Sequence, residues 1–151
     1  MNLGIWKPNV TVAAVIERDG RFLLVEEETP DGVRLNQPAG HLEAGESLLA
    51  ACSRETLEET AWQFTPTALL GIYLWPRPPG DLTYLRFAFC GELGAHDTER
   101  RLDAGILRTV WLTAEEIAAS RQRQRSPLVL QCVGDYRSGR CYPLELLHSF
   151  A

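Results

Sequence analysis

A chain of 151 residues has room for one domain built around one hydrophobic core. Its hydrophobic content of 45% and charged content of 23% are ordinary for a globular protein, and a net charge of −5 is the wrong sign for a nonspecific nucleic-acid binder. There is no leader-like start and no apolar run near ~18 residues, so a soluble cytoplasmic protein without membrane partners is expected. Residues 10–17 (VTVAAVIE) are apolar and β-branched and predict a buried strand. Asp19-Gly20 signals a hairpin turn, and residues 21–28 return as a second strand. Residues 29–32 (TPDG) form another turn signal, and 33–38 lead into a loop. A helix is predicted over 47–60. Residues 62–75 are rich in strand formers but broken by Pro66 and Gly71, and 76–80 (PRPPG) read as a rigid turn. Residues 83–93 predict a strand, 94–105 a polar loop, and 110–112 a short strand. Thr113 and Glu116 have the spacing of a capping box that opens a helix running to about Ser120. Ser126-Pro127 fits the start of a last helix, with its end near Gly139. Strands, a helix, more strands and two helices suggest a mixed sheet with helices on both faces.

The helix over 47–60 carries an arrangement a helix should not favour. Glu55, Glu58 and Glu59 stand at i, i+3 and i+4 and fall within about a 100° arc. Like charges at that spacing repel by roughly 0.2–0.5 kcal/mol per pair. They also lie in the C-terminal half, where the macrodipole disfavours anions. No lysine is interspersed on this face; Lys7 is the only lysine in the chain. A divalent cation would supply the missing positive charge, and an all-oxygen ligand set favours Mg²⁺ or Mn²⁺ over zinc. Leu48, Leu49, Cys52 and Thr56 form the packing stripe, which puts the acids at the edge of a groove. Cys52, Cys90, Cys132 and Cys141 contain no C-x-x-C pair, and with only His41, His96 and His148 they make no zinc-like cluster. The cysteines read as reduced, small core residues.

Gly40, five residues, Glu46, seven residues, Arg54-Glu55, two residues, Glu58-Glu59 resembles the Nudix box, G-x5-E-x7-R-E-U-x-E-E-x-G-U, where U is aliphatic. Thr56, Ala61 and Trp62 depart from it, standing where an aliphatic, a glycine and an aliphatic are usual. An alanine at 61 costs about 1–2 kcal/mol if it must take a left-handed conformation. Residues 7–12 (KPNVTV), 36–43 (NQPAGHLE), 125–129 (RSPLV) and 140–145 (RCYPLE) extend the likeness to the NudJ-type phosphatases over nearly the whole chain. The resemblance implies one Nudix hydrolase domain over residues 1–151, folded as an α/β/α sandwich with a mixed sheet. It implies metal ligation by Glu55, Glu58, Glu59 and the Gly40 carbonyl, braced by Glu46 and Arg54. It also implies Mg²⁺-dependent hydrolysis of nucleoside di- and triphosphates, of hydroxymethylpyrimidine diphosphate and of thiamine diphosphate.

Beyond the box the sequence offers weaker candidates. Tyr84 and Arg86 alternate on a predicted strand and can face either substrate or solvent. Trp6, Tyr73 and Trp75 suit either base stacking or the aromatic core. Asp97, Glu99 and Asp103 lie in a loop where some Nudix enzymes keep an extra acid. The expected function is a metal-dependent phosphohydrolase acting on a small nucleotide or pyrophosphate as a monomer or dimer, releasing orthophosphate. A housecleaning triphosphatase that releases pyrophosphate is the alternative. A non-catalytic nucleotide sensor would not need all five charged positions of the box intact.

Overall fold

The computed structural model describes residues 4–151. Eight strands and three helices are present among them: β1 (Asn9–Ala14), β2 (Glu17–Arg18), β3 (Arg21–Thr29), β4 (Gly32–Asn36), β5 (Ala39–His41), α1 (Leu48–Thr60), β6 (Trp62–Pro76), β7 (Thr83–His96), β8 (Ile106–Thr113), α2 (Ala114–Ala119) and α3 (Leu128–Arg137). One sheet has the order β5-β1-β7-β6 and is mixed, because β1 runs parallel to β7 and antiparallel to β5. A second, antiparallel sheet joins β2, β3 and β4, with β8 on the other side of β3.

Alternation along β1 and β3 explains the layering. Val12, Ala14 and Leu23 pack with Ala51 and Cys52 of α1. Ala13 and Leu24 point the other way and pack with Ile117 of α2 and with Val129 and Cys132 of α3. The sheets are therefore held between helical layers, the α/β/α sandwich that the sequence implied. No helix among the described residues is long and apolar enough to cross a membrane.

Several boundaries move for physical reasons. The strand expected over 10–17 stops at Ala14 and resumes as β2, paired to β3 through a turn in which both Asp19 (φ 53°) and Gly20 (φ 78°) are left-handed. Pro66 and Gly71 do not break the strand after α1. β6 is an edge strand, where a missing N–H is tolerated, and its pairing with β7 absorbs both residues at irregularities between Pro66 and Ala68 and between Leu69 and Gly71. β7 reaches His96, so the polar loop is shorter than expected, and β8 is longer because β3 pairs along it. The Thr113–Glu116 capping box is made in full. At α3 the Ser126 hydroxyl accepts the Leu128 N–H at 3.1 Å. Of the cysteines only Cys52 and Cys132 are core residues; Cys141 is exposed.

Helix α1 starts on Ser47, whose hydroxyl accepts the Ala50 N–H at 3.1 Å, and ends on Ala61 in the left-handed region (φ 62°, ψ 14°). This is the position where the box usually has glycine. Ala61→Gly should stabilise the protein by about 1 kcal/mol, raising Tm by roughly 2–4 °C. A melting curve that does not move upward would show that the turn is not strained.

Candidate active site

Edge strand β5 and helix α1 meet where the acids stand. Gly40 faces Glu55 so closely that a β-carbon there would overlap the Glu55 carboxylate. This close approach is the local reason for glycine. One residue earlier, the Ala39 N–H donates to Glu59 Oε1 at 3.0 Å. Glu59 is only 8% exposed, so it lies further inside than the groove edge expected of it. Burial pushes its carboxyl up to about 8; the Ala39 N–H opposes this, and the charges of Glu55, Glu27 and Asp103 add to it. Burial also raises the Glu55 carboxyl, against the pull of Arg54.

Arg54 holds the rest of the cluster. Its Nε and Nη2 form a fork on Glu46, at 3.0 and 2.7 Å. Nη2 also reaches the His41 carbonyl at 3.0 Å, which ties the loop after β5 to the helix. Nη1 donates to Glu55 Oε1 at 2.8 Å and to Glu58 Oε1 at 3.1 Å. The Glu46 carboxyl, which also accepts the Glu43 N–H at 2.8 Å, is held below its usual range mainly by Arg54. The acidic face is therefore not without a cation: Arg54 offsets part of the repulsion read from the sequence. Glu59 has no basic partner at all among the described residues.

Of the three loop acids, Asp103 is the one brought to the cluster. Its N–H donates to the Glu58 carbonyl at 3.0 Å, and burial together with the Glu58 carboxylate raises its own carboxyl. Glu99 only donates its N–H to Asp97 Oδ1 within the loop, at 3.1 Å.

A cavity of about 460 Å³ opens beside Glu55 and Glu59 and is walled by Trp75, Tyr84, Arg86 and Arg125 among others. Trp75 and Tyr84 are register partners on β6 and β7, and their rings stack at 5.9 Å with 17° between planes. His41 is exposed at the same wall, its ring 6.5 Å from Tyr84. Arg86 is 5% exposed and donates to Gln37 Oε1 at 2.9 Å and to Asn36 Oδ1 at 3.1 Å. Trp6 lies elsewhere, its Nε1 on the Asp81 carbonyl at 3.4 Å, and Tyr73 turns its hydroxyl to Asp135 at 2.7 Å. Sequence reading gave Asn36 and Gln37 no role. Their signal was two adjacent amides in a segment that the fold buries.

The donors around Gly40 are all oxygens, and the gap left by a residue without a β-carbon lies against a carboxylate. Both suit a hard divalent cation. Among the described residues no three side chains of the Asp, Glu, His and Cys type are already drawn together as a closed metal cage. Arg54 holds Glu55 and Glu58, while Ala39 holds Glu59.

This chain is a member of the Nudix family: the sequence profile of the NUDIX domain matches residues 6–131. It is an enzyme of the Nudix hydrolase type, and the chemistry of that class is hydrolysis of pyrophosphate linkages. It is 42% identical over 147 residues to the phosphatase NudJ of Escherichia coli strain K12, covering 97% of this chain and 94% of that protein. The solved structure of a NUDIX hydrolase from Nitrosomonas europaea is 53% identical, with a TM-score of 0.91 over 95% of this chain and 98% of that one. A MutT protein from Methanosarcina mazei Go1, 22% identical with a TM-score of 0.70 over 91% of this chain and 99% of that one, shares the fold.

Proposed function

We propose that residues 1–151 form one hydrolase domain that cleaves phosphoanhydride bonds in small organic di- and triphosphates. Nucleoside di- and triphosphates and the pyrophosphate of the thiamine pyrimidine are its substrates, and orthophosphate is its product. The observation that carries this reading is that Gly40, Glu55 and Glu59 line one cavity while Arg54 binds Glu46, Glu55 and Glu58 together beside it. Similarity to the phosphatase NudJ along almost the whole chain supports release of orthophosphate.

Glu55, Glu58, Glu59 and the Gly40 carbonyl would hold Mg²⁺, with Mn²⁺ as its substitute. Such a cation would supply positive charge against the phosphates and make a bound water more acidic. The protein's share is positioning. Arg54 and Glu46 fix the loop after β5 against α1, and the Ala39 N–H aims Glu59. Trp75, Tyr84 and Arg86, which line the same cavity, contact the substrate. The work is done in the cytoplasm by a monomer or a dimer, and the acidic net charge of −5 argues against nucleic acid as a partner.

Exhaustive chelation should abolish turnover, and Mg²⁺ or Mn²⁺ should restore it; full activity after chelation would rule out this ligand set. Phosphorus NMR of the products separates the two hydrolytic readings. Orthophosphate is expected from GTP and from hydroxymethylpyrimidine diphosphate. Pyrophosphate from GTP, with no turnover of any diphosphate, would leave only the general hydrolase assignment.

A further inference from the structure

The Arg86 guanidinium is buried without an anion. Its acceptors are Gln37 Oε1, Asn36 Oδ1 and, weakly, the Cys132 sulfur at 3.9 Å. All are neutral, since burial pushes the Cys132 thiol up. No carboxylate lies within ion-pair distance of Arg86 among the described residues, and the nearby Glu27 is engaged by Arg125 at 3.5 Å. Taking a cation out of water costs several kcal/mol unless an opposite charge meets it. Neutral hydrogen bonds offset only part of that. The arrangement is nevertheless rigid: Gln37 is itself fixed by donating to the Val129 carbonyl at 2.9 Å. A guanidinium has five N–H groups. The described residues engage hydrogens on Nη1 and one on Nη2, so Nε–H and the second Nη2 hydrogen have no acceptor among them. These two form a side-on fork of the kind that matches two oxygens of one phosphate.

The sheet register places this fork along the cavity. Thr11 pairs with His41 of β5 on one side and with Arg86 of β7 on the other. Arg86 therefore stands two strands from β5, on the order of 10 Å. Tyr84 is two residues along on the same face, and Trp75 pairs with it one strand further out. Crossing the sheet, the order is the acids at β5, then Arg86, then the aromatic pair.

We propose that Arg86 receives the phosphoryl group attached directly to the organic moiety, with the ring against Trp75 and Tyr84 and the outer phosphates at the acids. The substrate thus lies across the strands, and one of its phosphates is bound without metal. This rests on the organic di- or triphosphate reading above and adds the direction in which the substrate lies.

The test is calorimetric titration of the intact protein in EDTA with uridine, UMP, adenosine and AMP. In the wild type each monophosphate should bind at least about tenfold tighter than its nucleoside. In Arg86→Gln that gap should fall below about twofold while nucleoside affinity stays within about twofold. Arg86→Lys keeps the charge without the fork and should retain part of the gap. The wild-type gap needs no variant to fold, so its absence alone overturns the proposal. A gap that survives Arg86→Gln overturns it too. So does an equal loss for nucleosides and monophosphates, which would make Arg86 a ring contact. Hydrolysis of nucleoside triphosphates with Mg²⁺ tests the underlying reading separately: turnover without the gap sinks only the Arg86 assignment, whereas no turnover of any di- or triphosphate sinks the substrate class.

Discussion

Glu59→Gln should lower kcat by at least about 100-fold, a loss of roughly 2.7 kcal/mol, and should raise the melting temperature of the metal-free protein. The two effects have one cause. Glu59 is buried at 8% exposure, with a backbone N–H as its partner and no cation. Glutamine keeps the size and an oxygen for the Ala39 N–H but removes the charge that would bind metal. In chelator, the folded-state carboxyl near 8 lies above the ordinary value of 4.5. A raised carboxyl means that the folded state holds a proton the unfolded state has released. The cost of ionising it is therefore absent below about pH 4.5, grows as pH rises, and is complete above about pH 8. Glu55, also raised by burial, has the same sign. Glu46 has the opposite sign: held low by Arg54, it contributes stability that is lost as pH falls through the acid range. At pH 8 in EDTA the variant should be more stable than wild type by at least about 2 kcal/mol, or roughly 4–8 °C in Tm. At pH 4.5 the gain should vanish. Wild-type turnover would remove Glu59 from the ligand set, and a gain that does not change with pH would show that its burial is not the cause.

Arg54→Ala should destabilise the metal-free protein by about 2–3 kcal/mol, or roughly 4–12 °C in Tm. The partners Glu46, Glu55 and Glu58 have side chains 16%, 13% and 26% exposed, so solvent screens their repulsion only in part once the guanidinium is gone. The loop carrying His41 also loses its tie to α1. Arg54→Lys should recover less than half of the loss, because one ammonium cannot reproduce a fork on Glu46 together with bonds to two other carboxylates. Saturating Mg²⁺ should narrow the gap by restoring positive charge. Thermal melts with and without Mg²⁺ check both points. A lysine variant as stable as wild type would mean that charge alone matters there.

What was legible in the sequence is what depends on neighbours along the chain. The spacing of Glu55, Glu58 and Glu59 sets their common helical face whatever the rest of the molecule does. The turn at Asp19-Gly20 and the capping box at Thr113 are likewise local and formed as read. The ends of strands were less legible, because pairing decides them: β7 carries β6 through Pro66 and Gly71, and β3 lengthens β8. Only the tertiary structure chose Asp103 from three similar loop acids, since the choice depends on which one returns to Glu58. Burial of Glu59 was equally unreadable, because it comes from β5 folding back over a helix twenty residues further on. Arg86 is the clearest case. The alternation with Tyr84 left its face undecided. Its fixed position comes from Asn36 and Gln37, some fifty residues earlier in the chain, meeting it only when β4 closes against the core. Helical periodicity is a property of one segment, whereas a buried charge is defined by everything packed around it.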